Sequence, residues 1–331
     1  MTERPIYITA ATHISMQQPL DEQWLTEPIL HTEPYVRSID PNFRQWLNPL
    51  EARRMGKILK RALVTASEAM TRSGISNPDA IITGTGLGCI ENTELILEAL
   101  CRDGEQTLKP TYFMQSTHNT ISSLIAIHHR CHGYNSTYSH RGVSFDAALL
   151  DAFVQLSLGD IATALVTGND ELTPSYFNIL KRLGYVGNPR QVPAGEASAA
   201  IMLATKPGDN PLCRLEQCRL SYGTPPLDTL PRDVDTVMLG INGHDANDEL
   251  YRQIATLYPD ATLLRYKHIF GESYTASALG VYAAAAIVNA GVIPAAMSLD
   301  GKVSSPAAPR RLLVVNHSDS RCLSFTLLSK P

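Results

Sequence analysis

Residues 84–89, GTGLGC, place three glycines and a cysteine where a strand-like run gives way to a helix-like one. Such a turn can offer backbone N–H groups to a phosphate. Its spacing, however, is GxGxG rather than the GxGxxG of a dinucleotide site, and the acidic residue expected at the end of a second strand is missing. Residues 142–146, GVSFD, approach the GxSxG elbow, which exposes a nucleophilic serine on a sharp turn. Asp146 stands where the last glycine belongs, so a serine in the first turn of a helix is the plainer reading of Ser144. HHRCH at 128–132 sets His128 and His132 one turn apart, with Cys131 beside them. No second cluster completes a zinc set, so a polar helix end closing at Gly133 fits better and no metal is expected. Residues 51–66 read as one amphipathic helix, with Met55, Ile58, Leu59, Ala62 and Leu63 on its apolar face. Arg53, Arg54, Lys57, Lys60 and Arg61 fall opposite, as a solvated face or a dock for an acidic partner.

The elements that must position these residues are those of a well-buried chain. Of the 331 residues 18% are charged and 44% hydrophobic, against about 25% charged in an average soluble domain, which excludes disorder. A net charge of −4 gives no basic field for nucleic acid. The start lacks an apolar run behind a basic end, and the six cysteines show no CxxC pair, so a cytoplasmic protein with reduced thiols is expected. Residues 273–299 contain no charge and are long enough to span a bilayer. They are rich in Ala, Ser and Thr, and are broken by Gly291 and Pro294, so a helix buried on all sides is expected instead of a membrane span.

Two stretches read alike. DAIITGTGLGCIENTEL (79–95) and DTVMLGINGHDANDELY (235–251) each run from an acidic residue through an apolar strand and a Gly-containing turn to an acidic helix start. TISSL begins 41 residues after Asp79 and TASAL 40 residues after Asp235, and strands follow at Ile161 and Arg311. The chain is read as a duplication, in which strands alternating with helices form largely parallel sheets covered on both faces. The halves are placed at 1–205 and 206–331, joined near KPGDNP (206–211) and forming one compact unit.

Residues 110–172 resemble the stretch of β-ketoacyl synthases that runs through the nucleophile, with Asn119, Gly133, Asn135, Thr137, Ser144, Gly159, Asp160 and Gly168 falling in place. Gly195-Glu196-Ala197, INGH (241–244) and KHIFGESYTASALG (267–280) resemble that family's later motifs, in order. THNT (117–120) and YNSTY (134–138) carry a narrower likeness to the ketosynthase-like proteins of aryl-polyene and flexirubin-type pigment clusters. The resemblance implies an α/β, thiolase-like fold of αβαβα layers built from two duplicated halves. It also implies fatty-acid or polyketide chemistry, in which a cysteine at a helix N-terminus is acylated and two histidines assist decarboxylation and condensation.

Departures from that pattern fall on the chemistry. Counting from Gly133, the nucleophile position holds Gly142. The second histidine position holds Glu272, whose charge, ~4 Å from a malonyl carboxylate, would cost on the order of 4 kcal/mol at an effective dielectric near 20. His244 survives, but the following Gly-Thr-Gly-Thr is replaced by residues 245–248, DAND. The C-terminal Gly-Phe-Gly-Gly gate is replaced by Asn316, His317, Ser318, Asp319 and Ser320; Lys267 stands intact.

The expectation is a degenerate site of Gly142, His244, Lys267 and Glu272 that does not carry out the standard condensation, with Asn119 and Ser144 contacting substrate. Inactive members of the family act as chain-length factors paired with an active ketosynthase. The implied ligand is the acyl-phosphopantetheine of a carrier protein, with no resident cofactor, and docking of that acyl carrier protein falls to Arg53, Arg54, Lys57, Lys60 and Arg61. A homodimer or heterodimer is expected through 137–141. Two alternatives stand beside this reading: an enzyme of altered chemistry using Ser139, Ser144, Cys89 or His244, and a carrier-protein scaffold.

Overall fold

The computed structural model describes residues 4–105, 110–223, 226–299, 308–318 and 321–331. The first part of the chain runs through β1 (Ile6–Ile14), β2 (Tyr35–Val36), α1 (Pro49–Ala52), α2 (Lys57–Ser73), β3 (Ala80–Gly84), α3 (Ile90–Asp103), α4 (Pro110–Gln115) and α5 (Thr120–His129). It continues through β4 (Tyr134–Tyr138), α6 (Ser144–Leu158), β5 (Thr163–Asp170), α7 (Pro174–Arg182), β6 (Ala194–Gly195) and β7 (Ala197–Ala204). Then follow β8 (Cys213–Tyr222), β9 (Thr236–Leu239), α8 (Asp245–Thr256), β10 (Thr262–Arg265), α9 (Lys267–Phe270), α10 (Ala276–Ala290), β11 (Arg311–Ser318) and β12 (Cys322–Ser329).

Ten strands order as β10-β9-β11-β12-β8-β1-β7-β5-β3-β4. The strand orders on the two sides of the β8–β1 junction mirror each other: β3 lies parallel between β4 and β5 as β9 does between β10 and β11, and β7 and β12 follow antiparallel. Within the sheet, among the described residues, the two sides join only through Ile6–Ile8 against Cys213–Leu215. β3, β7 and β9 are buried along their whole lengths, as strands covered on both faces must be.

Three apolar clusters set the layers. One packs α2 and α5 on the outside of the β1–β7–β5–β3 side, and one packs α8 against β9, β11 and β12. The largest lies between, around α6 and α10. This is the αβαβα arrangement. α10 buries 13 of its 15 residues; its run Ala283–Ala286 lets backbone approach strand on both sides, and this explains the uncharged stretch. Among the described residues no helix is long and apolar enough to cross a membrane.

Two sequence expectations are corrected. The helix read over 51–66 is broken: Asn48 caps α1 through its side chain, and Gly56, with extended backbone (ψ 164), separates α1 from α2. In the repeat, TISSL opens α5, which lies between β3 and β4, whereas TASAL opens α10, between β10 and β11. The topological counterpart of α10 is therefore α6. Short small-residue helix starts resemble one another whatever their place in the order.

Candidate functional site

Parallel register levels the strand ends. Gly84 pairs with both Tyr138 and Gly168, and Leu239 with both Arg265 and Val315. The turns leaving β3, β4, β9 and β10, with the ends of β5 and β11, thus meet at the carboxyl edges, where open α/β sheets hold ligands. A cavity of about 760 Å³ opens there, lined by Arg141, Gly142, Asp170, Glu171, Asn242, His244, Lys267, Glu272 and Ser318 among others, with an apolar wall of Leu172, Leu180 and Val186 and three tyrosines, Tyr176, Tyr185 and Tyr274.

The four residues expected at the degenerate site all line this cavity. Lys267, the first residue of α9, is buried, and its Nζ lies 3.0 and 2.9 Å from the two Glu272 oxygens. Asn242 Nδ2 donates to Glu272 Oε2 at 2.7 Å. The β6 segment fixes this loop: the Gly195 N–H donates to the Glu272 carbonyl at 2.9 Å, and the Glu272 N–H to that of Pro193 at 2.8 Å. The Glu272 charge is met by an ammonium, so the like-charge penalty read from sequence, which ignored Lys267, is offset within the site. His244 caps α8, its N–H donating to Asn242 Oδ1 at 3.0 Å, and its enclosed Nδ1 has no hydrogen-bond partner among the described residues. The DAND segment is the first turn of α8; Asp248 accepts from the N–H groups of Asn242 (3.2 Å) and Gly243 (2.9 Å).

Gly142 sits in the short turn from β4 into α6. A Cβ there would lie 2.1 Å from Ser318 Oγ and 2.7 Å from Ser318 Cβ. Asn316 Nδ2 donates to the Gly142 carbonyl at 3.0 Å and to Asp146 Oδ2 at 3.3 Å. Asp146, fully enclosed, also accepts from Ser277 and Ser324, and burial pushes its carboxyl upward. Of the gate replacement, Asp319 and Ser320 lie outside the described residues.

Other expected residues fall elsewhere. Ser144 is buried and committed to the turn, donating to the Arg141 carbonyl at 2.7 Å and accepting from the His140 N–H at 2.9 Å. Asn119 is the exposed N-cap of α5. Neither lines the cavity. Cys89 is fully buried beside Glu171, and its thiol is pushed up to about 12, chiefly by burial, so it offers no thiolate near neutrality. Arg61 is not on a docking face: it is 1% exposed and paired with Asp40 and Glu196. Arg53, Arg54 and Lys57 are exposed and Lys60 is half-buried. His128 and His129 stack edge to face, and no group of three potential metal ligands occurs among the described residues.

The Gly-rich turn has an internal occupant. The N–H groups of Gly86 and Leu87 donate to Asp170 Oδ1 at 2.9 and 3.1 Å, and Thr85 Oγ1 donates at 3.2 Å. The protein's own carboxylate takes the place a phosphate would need. Burial pushes Asp170 up to about 6 against the hydrogen-bonding groups that face it, Thr275 first among them. Glu171 is pushed up to about 7, first by burial and then by Glu91 and Glu196, while its Oε1 accepts from the Glu91 N–H at 3.0 Å. Sequence reasoning passed over this acid pair; its signal was two acidic residues at the end of an apolar strand.

Against this geometry, residues 22–228 match the family model described as "Beta-ketoacyl synthase, N-terminal domain". No curated protein matches the chain. Among solved structures, the ishigamide ketosynthase/chain length factor superposes with a TM-score of 0.82 over 100% of both chains at 18% identity. The ketosynthase ApeO in complex with its chain length factor ApeC, from Xenorhabdus doucetiae, gives 0.76 over 99% of this chain and 98% of that one, at 12% identity. A type II polyketide acyl-carrier protein in complex with its ketosynthase bound to the hexaketide, AntDE:AntF, gives 0.81 over 100% of both chains at 12% identity.

Proposed function

The chain belongs to the β-ketoacyl synthase family, and we propose that within it the protein serves as a chain-length-factor-type subunit, paired with an active ketosynthase in building a polyene-type acyl chain. The observation that carries this reading is Gly142: the position counted as the nucleophile's has no side chain, and Ser318 fills the space one would need. Three further features support it. The histidine counterpart Glu272 is consumed by Lys267 and Asn242. Of the other candidate nucleophiles of the first half, Ser144 and Cys89 are buried and committed or inert, and Ser139 is exposed and does not line the cavity. β4 forms one edge of the ten-stranded sheet and, among the described residues, pairs only with β3, so its other side can accept a strand from a partner.

On this reading the cavity bounds an acyl chain delivered by an acyl carrier protein, and the partner supplies the reactive cysteine. Affinity capture of the tagged protein from its native cell is expected to recover a second, cysteine-bearing ketosynthase in near-equal amount. Recovery of self-associated chain alone would overturn the reading.

A further inference from the structure

The proposed subunit role leaves one buried acid of the cavity without a task. Glu171 directly follows β5, lines the cavity and is 4% exposed. Its Oε1 accepts from the Glu91 N–H, in the first turn of α3, at 3.0 Å. That bond commits one oxygen, so a proton on the carboxyl sits on the other, Oε2. Oε2 takes no hydrogen bond from another described residue and is not fully enclosed, so it is the oxygen that meets the cavity. The next residue, Leu172, begins the apolar wall that Leu180 and Val186 continue. A donor at the head of an apolar wall matches an acyl chain, which carries a carbonyl at the head of an apolar tail.

The groups around Glu171 decide which form it takes. Burial first, then Glu91 of α3 and Glu196 between β6 and β7, push its carboxyl up to about 7 against the Glu91 N–H and Arg61 of α2. Arg61 is itself spent on Asp40 and Glu196. Asp170, the last residue of β5, is held by Thr85 and the Gly86 and Leu87 N–H groups, and Glu94 of α3 accepts from Thr173. Cys89, pushed up to about 12, is a neutral thiol. Elsewhere on the cavity wall Lys267 is tied to Glu272, and Arg141, His244, His317 and Arg321, with the three tyrosines, complete the ionisable lining. Near neutrality Glu171 is therefore partly protonated, and its neutral form is a hydrogen-bond donor.

We propose that Glu171 is the carbonyl-recognising residue of this cavity, its carboxyl O–H donating to the carbonyl oxygen of an acyl ligand whose tail lies along the Leu172 wall. The inference rests on the cavity being an acyl-ligand site, as read above, and not on the partner subunit.

Calorimetric titration of the purified protein with S-hexanoyl-pantetheine and with S-hexyl-pantetheine, a thioether that lacks the carbonyl, isolates this contact. Wild type is expected to prefer the thioester about fivefold at about pH 5.5 and to lose that preference by about pH 8.5, as Oε2 turns from donor to acceptor. Glu171→Gln keeps an acceptor for the Glu91 N–H and turns an amide donor to the cavity, so its preference should persist at both pH values. Glu171→Leu should show no preference at either; if it does not fold, the Glu171→Gln profile decides alone. Equal affinities for the two probes in wild type at the lower pH would overturn the proposal and leave the acyl site standing. A pH dependence that survives in Glu171→Gln would also overturn it, moving the effect to Asp170 or His244. Binding of neither probe would remove the acyl-site reading and the proposal with it. A failed partner capture beside a Glu171-dependent preference would remove only the subunit reading.

Discussion

Ser318 and Gly142 compete for one volume, and that competition is measurable. Gly142→Cys places a Cβ 2.1 Å from Ser318 Oγ, so it is expected to lose about 1–3 kcal/mol of stability. Gly142→Cys with Ser318→Gly should recover more than half of that in a double-mutant cycle followed by denaturant unfolding. Lys267 and Glu272 are the second pair. Lys267→Met strips a largely buried carboxylate of its cation and is expected to cost about 3 kcal/mol, whereas Lys267→Met with Glu272→Gln should cost less than the first change alone. The acid pair gives a pH signature. Asp170 and Glu171 titrate higher in the folded chain than unfolded, so their contribution to stability is fully present below the unfolded values and is lost as pH rises through about 6 and about 7. Glu171→Gln, whose amide oxygen can still accept from the Glu91 N–H, should flatten the fall in stability between pH 4.5 and about 7 by on the order of 2 kcal/mol in chemical denaturation. At this scale sequence located Gly142, His244, Lys267 and Glu272 because ordered motifs carry them. It missed the partners: nothing in a helical projection says that Arg61 meets Glu196, 135 residues away.

Elements were legible where one period dominates. The apolar runs that became β5 and β11 and the uncharged run of α10 declare themselves as strands and a buried helix. The break between α1 and α2 was hidden because an amphipathic pattern continues across Gly56, and only the Asn48 cap and the extended glycine end it. Alignment of TISSL with TASAL failed for a related reason: local similarity carries no strand order, and only the sheet shows that α6 corresponds to α10. The prediction at this scale concerns β4. α5 and α6 flank it, exposing Ile127 (74%) and Leu158 (59%). Ile127→Asp and Leu158→Asp are expected to leave the stability of the isolated chain within about 0.5 kcal/mol, as surface changes do. They should weaken association with the captured ketosynthase at least tenfold by analytical ultracentrifugation. Unchanged association would move the interface away from this edge.

The whole molecule is two similar strand sets back to back, with α6 and α10 between them, and this layering is what an 18% charge content describes. The architecture brings the carboxyl ends of both sets to one cavity, so residues from 87 to 321 meet in one place. A catalytic ketosynthase would use that convergence to acylate a side chain; in the proposed chain-length-factor role it would hold a chain that another subunit carries. Intact-mass spectrometry tests this most directly: the captured two-chain complex and the isolated chain are each incubated with acyl- and malonyl-carrier protein. An acyl adduct is expected on the cysteine-bearing partner alone, with the isolated chain unmodified and no carbon dioxide released. An adduct on this chain, or decarboxylation by it in isolation, would rule out a noncatalytic subunit.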